Sequence, residues 1–157
     1  MSELRELYQE VILDHHKRPR NFGALAEANR HADGHNPLCG DRITVHVDVE
    51  NGEIRGVSFE GAGCAISRAS ASLMTDAVKG RPVDHAERLV EEFRHMVTGP
   101  ADAALEERLG KLAVLCGVRE FPSRVKCASL AWHTLHAALA GGTGQVSTES
   151  PDPAHGK

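Results

Sequence analysis

Aromatic residues are scarce in this sequence: one Trp, one Tyr and four Phe among 157 residues. With so few large rings, the core must rest on Leu, Val, Ile and Ala. No apolar run approaches the roughly 18 residues that a membrane-spanning helix requires. The stretch Met1 to Glu10 is acidic and amphipathic, unlike a secretion signal. The formal charge is -4 with no large basic block, so neither nucleic acid nor a membrane is expected as a partner. Gly61 and Gly63 are not followed by Gly-Lys-Ser/Thr, which excludes a phosphate loop of that type. There are only four cysteines. The chain is expected to be cytoplasmic, and in that reducing compartment such thiols read as metal ligands or reactive groups rather than disulfides. No repeat or second domain is visible, and the length suits one domain with a single core.

The local pattern mixes helix and strand. Ser2 can cap a helix reaching about Lys17, with Leu4, Leu7, Tyr8, Val11 and Ile12 on one face and Pro19 ending it. His15 and His16 close that helix, where an imidazolium is favourable. A short strand near Arg30 has only a weak signal. Ile43, Val45, Val47 and Val49 alternate with polar residues, as in a strand with one buried face. Asn51-Gly52 signals a hairpin. Ile54, Val57 and Phe59 continue the sheet as a second strand, and their spacing slips near Gly56, which predicts a bulge there. The sheet is therefore antiparallel. A helix is expected from Cys64 to Lys79, stopped by Gly80 and Pro82. Asp84 and Glu87 form a capping-box pattern for a helix over 85–97. Short turns are expected over 102–109 and 110–116, then a last helix from Pro122 or Ser123 to about Ala140. The Gly-, Ser-, Thr- and Pro-rich tail, 141–157, is expected to be disordered.

The cysteines carry the chemistry. Cys39 stands in N-P-L-C-G-D-R with Asp41 two residues on, Cys64 in G-A-G-C-A-I-S, and Cys127 in F-P-S-R-V-K-C-A. Three sulfurs and one carboxylate suit a tetrahedral zinc ion, or an iron–sulfur cluster. Such wide spacing means that the fold must assemble the site. Loop ends and helix starts place these residues where side chains can share one rim, and backbone N–H groups at a helix start favour a thiolate. Gly61 and Gly63 are expected to allow the backbone close to the metal. Thiolates with a carboxylate make a net negative site, which calls for basic neighbours. Arg124 and Lys126 are the nearest candidates; Arg42 and Arg68 read equally well as solvated charges. Cys116 is the rival to Asp41, but it lies in the apolar run L-A-V-L-C-G-V and reads as a small buried hydrophobe. His133 and His136 share a helix face without the partners that a metal site needs.

The three cysteine motifs, in order over about residues 1–140, resemble the iron–sulfur assembly proteins related to IscU and the N-terminal domain of NifU. The SufU branch is the most similar. IscU proteins carry a histidine just before the last cysteine, where this chain has Lys126, and an L-P-P-V-K segment, where it has Glu120-Phe121-Pro122-Ser123-Arg124. The added helical stretch around 85–110 is also SufU-like. The resemblance implies a single α+β domain over 1–140, with a small antiparallel sheet of about three strands covered by helices. It implies zinc held by Cys39, Asp41, Cys64 and Cys127, and a pyridoxal-phosphate cysteine desulfurase of the SufS type as partner. Sulfur taken from that enzyme's persulfide would pass toward the SufBCD scaffold, which makes the chain a zinc-dependent sulfurtransferase rather than a small-molecule enzyme. Cys39 is then the expected sulfur acceptor, with Arg124 orienting it. Two alternatives use the same residues: an IscU-like scaffold for a transient 2Fe–2S cluster, and a structural zinc module that only binds a partner.

Overall fold

In the computed structural model, which describes residues 2–38, 40–141 and 145–147, α1 spans Ser2–Lys17, β1 Arg30–Asn36, β2 Asp41–Glu50 and β3 Glu53–Ala62. They are followed by α2 (Ala65–Val78), α3 (Val83–Thr98), α4 (Ala103–Leu109), a 3-10 segment (Gly110–Glu120), α5 (Pro122–Leu139) and β4 (Gln145–Ser147). The sheet order is β3-β2-β1-β4, with β1, β2 and β3 antiparallel. This is the α+β architecture expected.

Period-two alternation places Ile43, Val45 and Val47 of β2 in the core. Asn51 and Gly52 both have positive φ, 55° and 77°, so the turn matches the right-handed twist of the two strands. Asp48 faces Gly56 while Val49 faces Ile54, which leaves Arg55 as the extra residue of a bulge. That bulge lets Ile54 and Val57, three apart, both point inward.

β1 has almost no apolar residues, yet Ala32, Gly34 and Asn36 are buried against α5. A Cβ at Gly34 would lie 2.0 Å from Thr134 Oγ1, so the helix sits on the strand only because that side chain is missing. On the other flank of α5, Ser70 Oγ of α2 donates to Ala128 O at 2.6 Å and accepts from Trp132 Nε1 at 3.1 Å. Trp132 stacks on Phe93 at 4.5 Å and so ties α3 to the same core.

Four sequence expectations change. Leu7 is 53% exposed; Tyr8, Val11 and Ile12 carry the packing of α1. The capping box of α3 does not form. The cap is Pro82, held against the β2–β3 hairpin by Val83 N–H donating to Gly52 O, while Glu87 pairs with His136 of α5 at 2.8 Å. Within the tail, Gln145–Ser147 runs parallel to β1 and occupies its open edge; residues 148–157 lie outside the described residues. His15 is not an exposed imidazolium but is 1% exposed. Ser72 Oγ accepts the Arg20 N–H and bonds His15 Nδ1 at 2.7 Å, an arrangement that suits a neutral ring. Burial, and then the Arg20 cation, hold His15 below the ordinary imidazole range. No helix among the described residues is long and apolar enough to cross a membrane.

Two predictions follow from this packing. Gly34→Ala is expected to cost about 1–3 kcal/mol by overpacking. Thr134→Ala in the same chain is expected to recover most of that loss, as measured by urea unfolding. For His15, the native state favours the neutral ring, so the unfolded chain binds more protons as pH falls through about 6.5. Stability therefore declines on acidification. His15→Gln is expected to shrink the drop in unfolding midpoint between neutral and mildly acidic buffer; an undiminished drop contradicts this.

Candidate metal centre

Three elements start at one rim of the domain. Asp41 is the first residue of β2, Cys64 caps α2, and Cys127 lies in the second turn of α5. One carboxylate oxygen and the two Sγ atoms all fall within 4.8 Å of one another. Asp41 is 1% exposed and Cys127 4%, while Cys64 is open to solvent. The sequence spans 23 residues from Asp41 to Cys64, and only the β2–β3 hairpin closes that gap.

Hydrogen bonds fix each donor. The backbone N–H of Cys64 donates to Asp41 Oδ1 at 3.0 Å, which turns Oδ2 toward Cys64 Sγ at 3.9 Å. Cys64 Sγ accepts the Ser67 N–H at 3.4 Å, a sulfur version of the usual oxygen cap. Asn36 is fully buried, and its Nδ2 donates to Cys127 Sγ at 3.7 Å. Asn36 and Asp41 are also directly paired across β1 and β2.

The donor set fits a metal ion. A buried carboxylate oxygen and two sulfurs brought close together are the donor types of a zinc site. A tetrahedral ion with Zn–S near 2.3 Å sets its ligands roughly 3.8 Å apart, a small contraction from the spacing seen.

The two glycines separate in role. A Cβ at Gly63 would lie 2.7 Å from Asp41 Oδ1 and 2.4 Å from Ser67 Oγ, so this glycine does let the chain approach the carboxylate. At Gly61, with φ 138°, a Cβ would lie 2.1 Å from the Arg42 carbonyl oxygen of the neighbouring strand, so this glycine serves the sheet instead.

Of the other expected residues, Cys39 lies outside the described residues. Cys116 is half-buried beside Tyr8 and Glu106, with its thiol pushed up by burial, and is not part of the ligand group. Arg124 is exposed, its guanidinium over the Phe121 ring at 5.3 Å. Lys126 directly precedes Cys127 and is half-buried. Arg42 is exposed. Arg68 is more than a solvated charge: it covers the Phe22 ring at 5.1 Å and donates to Gly61 O at 3.4 Å. His136 Nδ1 bonds Glu87 Oε1 of α3 at 2.8 Å. Asn36 and Ser67 were not legible as site residues, because a buried amide and a backbone N–H carry no spacing signature.

The family model described as NifU-like N-terminal domain matches residues 7–128. Among curated relatives, the iron–sulfur cluster assembly scaffold protein IscU of Streptococcus pyogenes is 42% identical, covering 88% of this chain and 86% of its own. The zinc-dependent sulfurtransferase SufU of Bacillus subtilis is 41% identical, covering 88% and 93%. A crystal structure from Fervidobacterium islandicum, described as a cluster assembly scaffold protein for the SUF system, is 33% identical. It superimposes with a TM-score of 0.76 over 83% of this chain and 94% of that one.

Gly63→Ala is expected to weaken metal binding at this group by about 10- to 100-fold, the usual effect of disturbing a ligand's support. Competition with a chromophoric chelator measures it, with circular dichroism confirming the fold. An affinity within twofold of the parent contradicts the placement of Asp41.

Proposed function

The chain belongs to the NifU-like N-terminal domain family, and on that premise we propose that it serves iron–sulfur cluster assembly as a zinc-dependent sulfur acceptor. The observation that carries this reading is the meeting of Asp41, Cys64 and Cys127 at one partly open rim. A buried clip of four thiolates is the usual structural zinc site; a shell with one carboxylate and an opening to solvent leaves room for one ligand, Cys39, to exchange. The ligands proposed are Cys39, Asp41, Cys64 and Cys127. Zinc bound there keeps cysteine ligands as thiolates at neutral pH.

The partner proposed is a cysteine desulfurase of the SufS type, carrying a persulfide on its own cysteine. The Cys39 thiolate attacks the outer sulfur of that persulfide. A new S–S bond forms on Cys39 while the desulfurase S–S bond breaks, and the desulfurase cysteine leaves as a thiolate. No outside oxidant or reductant is needed, since the sulfur keeps its oxidation state as it moves. Asp41, Cys64 and Cys127 stay in place. Arg124 lies one helical turn before Cys127, and its guanidinium offsets the negative charge of the site and orients Cys39. The sulfur then goes to the SufBCD scaffold, in the cytoplasm.

One observation favours a second reading: an IscU-named relative is as similar as the SufU-named one. In that reading, the same residues hold a transient 2Fe–2S cluster. Lys126, in place of the histidine that IscU proteins carry there, favours sulfur transfer.

Incubation of zinc-loaded protein with desulfurase and cysteine is expected to add about 32 Da per chain, one sulfur atom, on Cys39. Cys39→Ala is expected to lose the adduct while retaining the fold and most of its zinc. Arg124→Ala is expected to retain zinc and slow transfer about tenfold. Unchanged sulfur acceptance by Cys39→Ala contradicts the proposal. A stable chromophore after anaerobic reconstitution with iron and sulfide favours the scaffold.

A further inference from the structure

Asn36 is a polar side chain fully withdrawn from solvent at the rim, 0% exposed. Its Oδ1 accepts the Leu38 N–H at 3.2 Å and its main-chain oxygen accepts the Gly40 N–H at 2.8 Å. These two bonds tie down both sequence neighbours of Cys39. With Oδ1 committed to an N–H, the amide orientation is fixed and Nδ2 is left to face Cys127 Sγ at 3.7 Å. Cys64 Sγ carries a comparable donor, the Ser67 N–H at 3.4 Å. Both cysteines of the described ligand group therefore accept an N–H.

An N–H donated to a thiolate draws electron density from the sulfur. It lowers the nucleophilicity of that sulfur and strengthens its hold in one place, as the hydrogen bonds around metal–sulfur sites generally do. We propose that Asn36 and the Ser67 N–H select which sulfurs stay: they quiet Cys127 and Cys64 through N–H···S bonds, while Asn36 also seats the loop that carries Cys39. Asn36 is thus a positioning and selectivity residue, reaching the chemistry through Cys127 on one side and the Cys39 loop on the other. The inference rests on the sulfur-acceptor reading for its purpose, but the N–H···S bonds can be tested without any sulfur transfer.

The test is alkylation of the zinc-loaded protein by limiting iodoacetamide, with peptide mass spectrometry giving a rate for each cysteine. In the parent protein, Cys64 and Cys127 are expected to react at least tenfold more slowly than Cys39. Asn36→Ala is expected to speed Cys127 at least fivefold and to leave Cys64 within twofold. Equal rates for Cys127 with and without the Asn36 amide overturn the proposal. If Asn36→Ala does not fold or does not hold zinc, the parent protein loaded with a spin-active cadmium isotope decides. Scalar coupling from cadmium to the Asn36 Nδ2 protons and to the Ser67 amide proton is expected; absence of the Asn36 coupling overturns the proposal. Failure of the desulfurase assay with these rates and couplings intact defeats only the sulfur-acceptor reading.

Discussion

A carboxylate held out of water is the constraint on which the rest of the structure turns. Asp41 lies at the first residue of β2, almost fully buried, with the Cys64 N–H on one oxygen. Burying such a group costs free energy unless it is hydrogen-bonded or paired. Its position sets the start of α2, requires Gly63 to lack a side chain, and pairs β2 with Asn36 of β1. The elements around it are arranged so that two sulfurs arrive at the same place from helices far apart in the chain.

The fold achieves this with ordinary means. Two helices, α2 and α5, lie side by side on the sheet, joined by Ser70, and begin at the same rim. Small residues along α2 and Gly34 on β1 let α5 settle close to both. The scarcity of aromatics is offset by placing the largest ring, Trp132, at the junction of α2, α3 and α5. The candidate ligands Asp41, Cys64 and Cys127 then ride on the ends of well-packed elements, where small errors of position are hard to make.

Much of this was legible in the sequence because the relevant patterns are local. Ile43, Val45 and Val47 revealed β2, Asn51-Gly52 the hairpin, and the slip between Ile54 and Val57 the bulge. Of the ligand candidates that their chemistry singled out, Asp41, Cys64 and Cys127 are brought together by the fold. What escaped depends on contacts between distant segments. β1 is polar and glycine-containing because α5, not its own side chains, supplies its packing. Glu87 reads as a cap until His136 is seen across from it. His15 reads as a helix-end cation until Ser72 and the packing of α1 on α2 bury it. Asn36 needed both the β1–β2 register and the reach of Cys127 to show its role.

Relatives named as a scaffold and as a sulfurtransferase are about equally similar to this chain in sequence, so that similarity alone does not divide the two readings. Both readings place a metal at the same group of side chains, so the ligand set is the first thing to measure. X-ray absorption at the zinc edge of the metal-loaded protein tests this most directly. The account predicts a mixed shell, with sulfur near 2.3 Å and one carboxylate oxygen at about 2.0–2.2 Å. An all-sulfur shell, with Cys116 in the place of Asp41, or a shell without sulfur, contradicts it.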